Sequence, residues 1–178
     1  MVTTVDSLRS AIRNVPDFPQ KGIVFRDITT LLQNKNNFAA AIDFLYEHFR
    51  LKHIDKIVGI ESRGFIIGSA LAYKFGTGFV PVRKPKKLPS KTIREEYQLE
   101  YGIDALEIHT DAIQNGERVL IVDDLIATGG TVVATCKLVE RLGGIVEGLG
   151  FLIELSFLHG RERLNQYEIF SIVSYDSE

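Results

Sequence analysis

Two adjacent aspartates followed by a run of small residues form the strongest chemical signal in this sequence. Carboxylates only accept hydrogen bonds, so an adjacent pair suits the two hydroxyl groups of a ribose. The glycines permit a close backbone approach, and the first N–H groups of the helix expected to follow are free to bind a phosphate. The segment therefore predicts a site for a sugar 5-phosphate, although an isolated aspartate pair would indicate only a solvated strand end. It reads Val119-Leu120-Ile121-Val122-Asp123-Asp124-Leu125-Ile126-Ala127-Thr128-Gly129-Gly130-Thr131.

The segment matches neither of the two common phosphate-binding loops. It has no Gly-Lys-Ser/Thr, which a Walker loop requires. It also lacks the Gly-x-Gly-x-x-Gly that dinucleotide-binding folds place between strand and helix. The hydroxyls of Thr128 and Thr131 add donors of their own. The sequence thus favours a phosphate site of a different kind.

A second turn and a basic run extend the possible anion site. Ser62-Arg63-Gly64 follows a predicted strand and precedes a predicted helix, which is typical of an anion-binding turn; Ser62 acting simply as a helix N-cap is the alternative. Residues 83–94 contain six basic side chains in twelve positions. Such a run is often a solvated face or a nucleic-acid patch. No aromatic platform is interleaved, and Glu95 and Glu96 follow at once, so nucleic acid is not an expected partner.

Alternating strand and helix patterns must position these residues. The alternation predicts βαβ units, a parallel sheet and helices on both of its faces. Such sheets bind ligands beyond the carboxyl ends of their strands, so the loops after Ile60, Val82 and Val122 are predicted to carry the chemistry. Residues 84–112 lack a helical period and are too long for an ordinary connection, which predicts a functional lid. Strands are predicted at 54–60, 78–82, 118–122 and 145–155, and helices at 7–14, from Asn36 or Asn37 to about 51, at 64–75 and at 131–142.

Five segments together resemble the type I phosphoribosyltransferases, in particular those that use adenine. The resemblance extends from about Phe18 to Ser174, in the family's order and spacing. It implies one α/β domain over residues 1–178, with a mainly parallel central sheet flanked by helices. It also implies a small base-binding hood at residues 1–35 and a flexible lid loop at 84–112. Besides the aspartate–glycine segment, the matching segments are Val24-Phe25-Arg26-Asp27-Ile28, Glu61-Ser62-Arg63-Gly64-Phe65, Val82-Arg83-Lys84-Pro85-Lys86-Lys87-Leu88-Pro89 and Leu99-Glu100-Tyr101-Gly102.

The resemblance implies a reaction and a role for each segment. The reaction is transfer of the 5-phosphoribosyl group from phosphoribosyl pyrophosphate to adenine, which yields AMP and pyrophosphate. Glu100 is the implied general acid/base, and Arg63 the implied support for the leaving pyrophosphate. Adenine is implied to contact Val24, Phe25, Arg26 and Leu155. Phosphoribosyl pyrophosphate or AMP is implied to contact Ser62, Arg63, Arg83, Lys84, Lys87, Tyr101, Asp123, Asp124, Ala127, Thr128, Gly129, Gly130 and Thr131.

Taken without the resemblance, two of these residues have plainer interpretations. Phe25 would be a core residue under the sheet, and Glu100 one of several solvated acids in a charged loop. The resemblance further implies Mg²⁺ held mainly by substrate and water, with no direct protein ligand, as suits an ion that dehydrates reluctantly. It also implies a homodimer.

Composition excludes several classes of protein. A chain of 178 residues predicts one domain. Its net charge of −2 predicts no overall electrostatic attraction to nucleic acid or membrane. The N-terminus lacks a signal-peptide pattern, and the apolar stretches fall far short of the roughly 20 residues of a membrane span, so a cytoplasmic location is expected. The single cysteine, Cys136, rules out an internal disulfide and is expected to be a buried, inert thiol.

Two alternative functions would use the same phosphoribosyl pyrophosphate site. The acceptor could be a 6-oxopurine, but the enzymes that use those bases carry an acid where this sequence has Ala127. The chain could also be a regulator that senses phosphoribosyl pyrophosphate without catalysis. Only about 20 residues precede Phe25, which is too few for a winged helix.

Overall fold

The structure, a computed structural model, describes residues 3–98 and 102–178 and has one parallel central sheet. Its five strands lie in the order β4-β3-β7-β8-β9, and every neighbouring pair is parallel. Two antiparallel pairs, β1-β2 and β5-β6, lie outside this sheet. The strands are β1 (Arg13–Pro16), β2 (Val24–Asp27), β3 (Lys56–Ile60), β4 (Gly78–Val82), β5 (Thr92–Gln98), β6 (Ile103–His109), β7 (Arg118–Ile126), β8 (Ile145–Leu155) and β9 (Ile169–Tyr175). The helices are α1 (Val5–Ala11), α2 (Thr29–Gln33), α3 (Lys35–Phe49), α4 (Gly64–Phe75) and α5 (Gly130–Arg141), with short 3₁₀ turns at Ser156–Leu158 and Gly160–Leu164.

Both faces of the sheet are covered, as the alternation of strands and helices predicts. In the central strand β7, Leu120 and Val122 pack into one core and Val119 and Ile121 into another. The first core includes side chains of α1 to α4, and the second includes those of α5 and β6. This two-sided burial explains why β7 reads as a continuous apolar run rather than an alternating one. The predicted α/β class with a parallel sheet is confirmed.

Several predicted elements have the bounds expected from their terminal residues. The helix at 64–75 and the strands at 78–82 and 145–155 are confirmed to the residue. Gly76 ends α4 in the left-handed conformation, with φ of 69°, which a residue without a Cβ adopts readily. Cys136 is buried, and burial raises the pKa of its thiol to about 12, as expected of an inert cysteine.

Other boundaries differ from the prediction. The N-cap of α3 is Asn34, not Asn36 or Asn37, because its side chain accepts hydrogen bonds from both of their N–H groups. The predicted helix at 7–14 ends at Ala11, since residues 13–16 pair with β2 instead. Strand β7 continues to Ile126, four residues past Val122, through its pairing with β8.

The range 84–112 contains a hairpin rather than a continuous loop. Strand β5 pairs with β6 from Thr92↔His109 to Gln98↔Ile103. The hairpin packs on α5, where Glu95 lies 3.0 Å from Lys137 and 3.1 Å from Arg141. Exposure along β5 alternates from Ile93 to Gln98, a period of two that the absence of a helical period did not reveal. Within the described residues, no helix is long and apolar enough to cross a membrane.

Candidate active site

Strand β7 extends past the end of its neighbour β3, and the two aspartates lie in this extension. Pairing with β3 ends at Gly59↔Val122, whereas pairing with β8 continues through Asp123↔Phe151. Asp123 and Asp124 therefore lie at the carboxyl-end edge of the sheet, where parallel α/β sheets bind their ligands.

The two carboxylates are close together and poorly solvated. Asp124 is buried, and its Oδ2 lies 2.9 Å from Nε of Arg63. Asp123 Oδ1 accepts a hydrogen bond of 2.8 Å from the backbone N–H of Asp124. Burial, followed by repulsion from Asp124, raises the pKa of Asp123 well above its ordinary value. Burial also raises the pKa of Asp124, against the lowering effect of the Arg63 charge.

These shifts make Asp123 a source of instability in the unliganded protein. A carboxyl group whose folded-state pKa is raised stabilises the fold only while it is protonated. That contribution is lost as pH rises from about 3.9, the ordinary Asp pKa, through the raised value.

We therefore expect Asp123→Asn to raise stability near pH 7. The amide retains an Oδ1 acceptor for the Asp124 N–H but removes the charge. The expected gain is about 0.5–2 kcal/mol, as for other replacements that relieve a functional site. Thermal unfolding at pH 4 and pH 8 measures it: the gain should be larger at pH 8, and a gain that is larger at pH 4 would contradict the assigned shift.

The turn after β7 leads directly into the N-terminus of α5. Gly129 precedes the helix with φ of 78°, a left-handed conformation, and no side chain caps the first turn. The helix begins at Gly130, one residue before the predicted start. Its uncapped N–H groups are oriented for an anion. A cavity of about 170 Å³ lies here, lined by Asp123, Leu125, Ile126, Ala127, Thr128, Gly129, Gly130, Thr131 and Val132.

A second helix N-terminus contacts the aspartates. Arg63 precedes α4 in a helical conformation, and no side chain caps this helix, so Ser62 is not its N-cap. Gly64 is necessary for the contact, since a Cβ there would lie 2.7 Å from Asp123 Oδ1 and 3.0 Å from the Val122 carbonyl oxygen. The beginning of α4 and Arg63 are thereby held against the end of β7.

The other basic residues proposed to bind the pyrophosphate side lie in the turn after β4. Arg83 pairs with Glu61 at 2.9 Å, and its hydrogen bond lowers the pKa of that carboxyl group. Lys84 lies 3.0 Å from Asp104, whose hydrogen bond raises the pKa of the lysine. Lys87 is exposed.

The hairpin connects Lys84 to the turn before α5. The Tyr97 hydroxyl donates to Asp104 Oδ2 at 3.2 Å. The Tyr97 ring and the Gln98 carbonyl oxygen lie against Gly130, 3.4 and 3.3 Å from the position of a Cβ there. Glu100 and Tyr101 lie outside the described residues.

A larger cavity adjoins the small one. It has a volume of about 600 Å³ and includes three of the predicted adenine-site residues, Val24, Arg26 and Leu155. Ala127 and Thr128 line both cavities. The large cavity is lined by Gln20, Ile23, Val24, Arg26, Ala127, Thr128, Leu155, Phe157, Leu158 and Glu178.

Sequence reasoning missed half of this lining. Gln20 and Ile23 belong to an irregular turn, and Glu178 is distant in sequence. Phe157 and Leu158 follow the end of β8, so the rule that ligands bind after strand ends could have indicated them. It was applied only to the loops after Ile60, Val82 and Val122.

Strand β2 directs its side chains in opposite directions. Phe25 does not line the large cavity; its ring meets Phe18 edge-on at 5.2 Å and lies 5.0 Å from the Arg63 guanidinium. Arg26 lies 4.0 Å over the Tyr175 ring, and its Nη1 donates to Asn14 Oδ1 at 2.6 Å. The Arg26 guanidinium therefore holds β2 to the rest of the domain.

The described part of the chain offers no metal site made of protein atoms alone. Across residues 3–98 and 102–178, no three His, Cys, Asp or Glu side chains are grouped to hold an ion. Asp123 and Asp124 are two adjacent carboxylates beside the anion-binding turn, and burial raises the pKa of each even though Arg63 lies against Asp124. The pair therefore fits a divalent cation that a phosphorylated ligand brings with it.

Comparison with known proteins identifies the class of protein that this site belongs to. The family model described as the phosphoribosyl transferase domain matches residues 27–171. The adenine phosphoribosyltransferase of Solibacter usitatus is 60% identical over 169 residues, which are 95% of this chain and 98% of that protein.

Two crystal structures share the fold along almost their whole lengths. Adenine phosphoribosyltransferase from Thermoanaerobacter pseudethanolicus has a TM-score of 0.95 and 52% identity, covering 97% of this chain and 100% of that one. The Saccharomyces cerevisiae enzyme, complexed with D-2,5-dideoxy-2,5-imino-altritol 1,6-bisphosphate and adenine, has a TM-score of 0.89 and 44% identity, covering 94% and 97%. The chain belongs to the phosphoribosyltransferase family and, within it, to the adenine phosphoribosyltransferases.

Proposed function

We propose that this protein transfers the 5-phosphoribosyl group from phosphoribosyl pyrophosphate to adenine, giving AMP and pyrophosphate. One observation carries the proposal: Ala127 and Thr128 form a wall common to a 600 Å³ cavity and a 170 Å³ cavity. A nucleoside monophosphate has the matching shape, with a base at one end and a phosphate at the other. The yeast enzyme's complex with adenine supports this choice of base.

The residues divide between the two ends of the nucleotide. The uncapped start of α5 and the hydroxyls of Thr128 and Thr131 bind the 5-phosphate. Asp123 and Asp124 accept hydrogen bonds from the ribose hydroxyls. Val24 and Leu155 supply apolar contacts to adenine, while the backbone from Val24 to Arg26 reads its edge.

The leaving pyrophosphate requires positive charge at the other side of the sugar. Arg63 is already held beside Asp124, and Ser62, Arg83, Lys84 and Lys87 lie in the two turns that follow β3 and β4. Negative charge develops on the leaving pyrophosphate while the anomeric carbon acquires oxocarbenium character. Fixed cationic groups stabilise that negative charge. Holding both substrates in one site contributes further acceleration through orientation.

Mg²⁺ is the proposed cofactor. Bound with the substrate, this ion would supply charge neutralisation at the pyrophosphate. Asp123 and Asp124 would be the residues that support the ion, mainly indirectly rather than as direct ligands. Their high pKa values in the unliganded protein support this role, since nearby positive charge would favour the ionised pair.

Glu100 is proposed as the group that exchanges a proton with the purine, and Tyr101 as a residue that closes the site. We expect Glu100→Gln to lower kcat by about 10²–10⁴-fold, the usual contribution of general acid–base catalysis. The KM for phosphoribosyl pyrophosphate should change little, because the amide retains the size of the side chain. Steady-state kinetics from pH 5 to 9 measure both, with Glu96→Gln as the matched control. An unchanged kcat would remove Glu100 from the mechanism.

The identity of the acceptor base is tested by an assay with Mg²⁺, phosphoribosyl pyrophosphate and each purine in turn. Adenine should be consumed, and hypoxanthine and guanine should not. Ala127 supports this expectation, because it places a methyl group on the wall that the two cavities share. Turnover of 6-oxopurines alone would favour the first alternative, and binding without any turnover would favour a sensor.

The biological setting follows from the same chemistry. The reaction is a step of purine salvage, which recovers a free base as its nucleotide. A cytoplasmic location is proposed, because both phosphorylated substrate and product are too highly charged to cross a bilayer unaided. We also propose a homodimer, with the turns around Arg63 and Arg83 at the contact.

A further inference from the structure

Gly160 contacts the back of the turn from Ala127 to Gly129. The residue is buried, and a Cβ there would overlap the Ala127 carbonyl oxygen. It would also lie 2.8 Å from Gly129 N and 2.9 Å from the Thr128 carbonyl carbon. All three are backbone atoms, so no flexible side chain can move aside to make room.

The contact is reciprocal. A Cβ on Gly129 would lie 2.7 Å from the Gly160 carbonyl oxygen and 3.3 Å from its carbonyl carbon. Two backbone segments thus pack directly against each other, one glycine on each side. Gly129 also requires a positive φ, so its conformation and the packing of Gly160 are fixed together.

The segment that contains Gly160 is anchored independently of the turn. Arg161 forms two hydrogen bonds to Glu154 in β8, through Nε at 2.9 Å and Nη2 at 2.5 Å. Its Nη1 donates to the Ile169 carbonyl oxygen at 3.1 Å, and Leu164 is fully buried. Arg163 Nη1 donates to the Thr128 carbonyl oxygen at 3.3 Å, a second contact with the turn.

We propose that Gly160 is a positioning residue for the phosphate-binding turn. Because the 160–164 segment is anchored to β8 and the core, added bulk at Gly160 displaces the uncapped turn rather than the segment. The N–H groups at the start of α5 then no longer converge on the cavity. This inference rests on the proposed role of that turn in binding the 5-phosphate.

The test compares Gly160→Ala with Gly148→Ala. A Cβ at Gly148 would lie 2.6 Å from the Phe49 ring, so this control also introduces a steric conflict, but in a core that does not touch the turn. Ribose 5-phosphate and adenine are titrated separately by calorimetry, at a temperature where circular dichroism shows both variants folded.

We expect Gly160→Ala to weaken ribose 5-phosphate binding by about tenfold or more, since displacements near 1 Å disable oriented sites. Adenine binding should weaken less than ribose 5-phosphate binding, because only Ala127 and Thr128 of the larger cavity's lining belong to the displaced turn, and Gly148→Ala should change neither affinity. A folded Gly160→Ala that retains ribose 5-phosphate affinity, or loses both affinities equally, overturns the inference. Wild-type protein that binds no ribose 5-phosphate overturns the proposed function, and the inference with it.

Arg163→Ala tests whether the 160–164 segment positions the turn if Gly160→Ala does not fold. This variant removes the hydrogen bond to the Thr128 carbonyl oxygen together with the positive charge of the guanidinium, and adds no bulk. It should weaken ribose 5-phosphate binding by about two- to tenfold, the equivalent of one hydrogen bond. Unchanged affinity would contradict the idea that the 160–164 segment positions the turn.

Discussion

Replacing Asp123 and Asp124 together with asparagine should weaken phosphoribosyl pyrophosphate binding by about 100-fold or more. Hydrogen bonds to a charged group contribute roughly 1.5–3 kcal/mol each, and 1.4 kcal/mol is a factor of ten in affinity. Asparagine preserves the size of each side chain but removes both charges, including the one that pairs with Arg63. Adenine affinity should remain within about twofold, because neither aspartate lines the larger cavity.

Calorimetric titration of the double variant with each ligand measures this difference. Asp43→Asn is a suitable control, since Asp43 forms an exposed ion pair with Lys74 on the surface of α3 and α4. It should leave both affinities unchanged. Equal losses for adenine and phosphoribosyl pyrophosphate in the double variant would indicate general damage, and would count against the assigned roles.

Arg63→Ala should reduce kcat/KM for phosphoribosyl pyrophosphate by about 10²–10³-fold. Removal of one fixed group that stabilises transition-state charge has an effect of this order. The variant also leaves buried Asp124 without its cation, so the pKa of that carboxyl group should rise further. Arg63→Lys should recover only part of the activity, because an ammonium group lacks the planar fork of the guanidinium.

Steady-state kinetics of Arg63→Ala should be compared with those of Arg50→Ala. Arg50 follows the last residue of α3 and pairs with Glu47 on the surface, so its removal tests only the loss of one surface arginine. We expect Arg50→Ala to retain full kcat/KM. A loss of less than about threefold in Arg63→Ala would exclude Arg63 from the support of the leaving group.

The elements of the fold that local residues determine were predictable from the sequence. Helix α4 ends where Gly76 supplies a left-handed cap, and β8 begins directly after Gly143 and Gly144. The turn after β7 was recognisable because its strand, its glycines and its helix are contiguous. Each of these signals lies within about a dozen residues of sequence.

Features that depend on distant residues were not predictable. The larger cavity combines the turn around Gln20 with residues after β8 and with Glu178. Gly160 reads as an ordinary turn glycine until the fold packs it against Gly129. The contacts of Arg26 were not predictable either, because its partners Asn14, Tyr175 and Ser177 come from both ends of the chain.

The hairpin in residues 84–112 was not predictable for a different reason. Its inward positions include Glu95, a charge that a half-buried strand would not normally contain. Lys137 and Arg141 of α5 neutralise it, but that pairing depends on tertiary structure. Because Arg94, Glu95 and Glu96 are consecutive charges, the segment reads as a loop even though its exposure alternates.

A crystal structure of the protein with bound AMP tests the central claim most directly. The account predicts the 5-phosphate at the uncapped start of α5 within the 170 Å³ cavity, the ribose hydroxyls against Asp123 and Asp124, and the base in the 600 Å³ cavity across Ala127 and Thr128. AMP bound elsewhere, with the turn from Ala127 to Gly130 in contact with solvent alone, would contradict it.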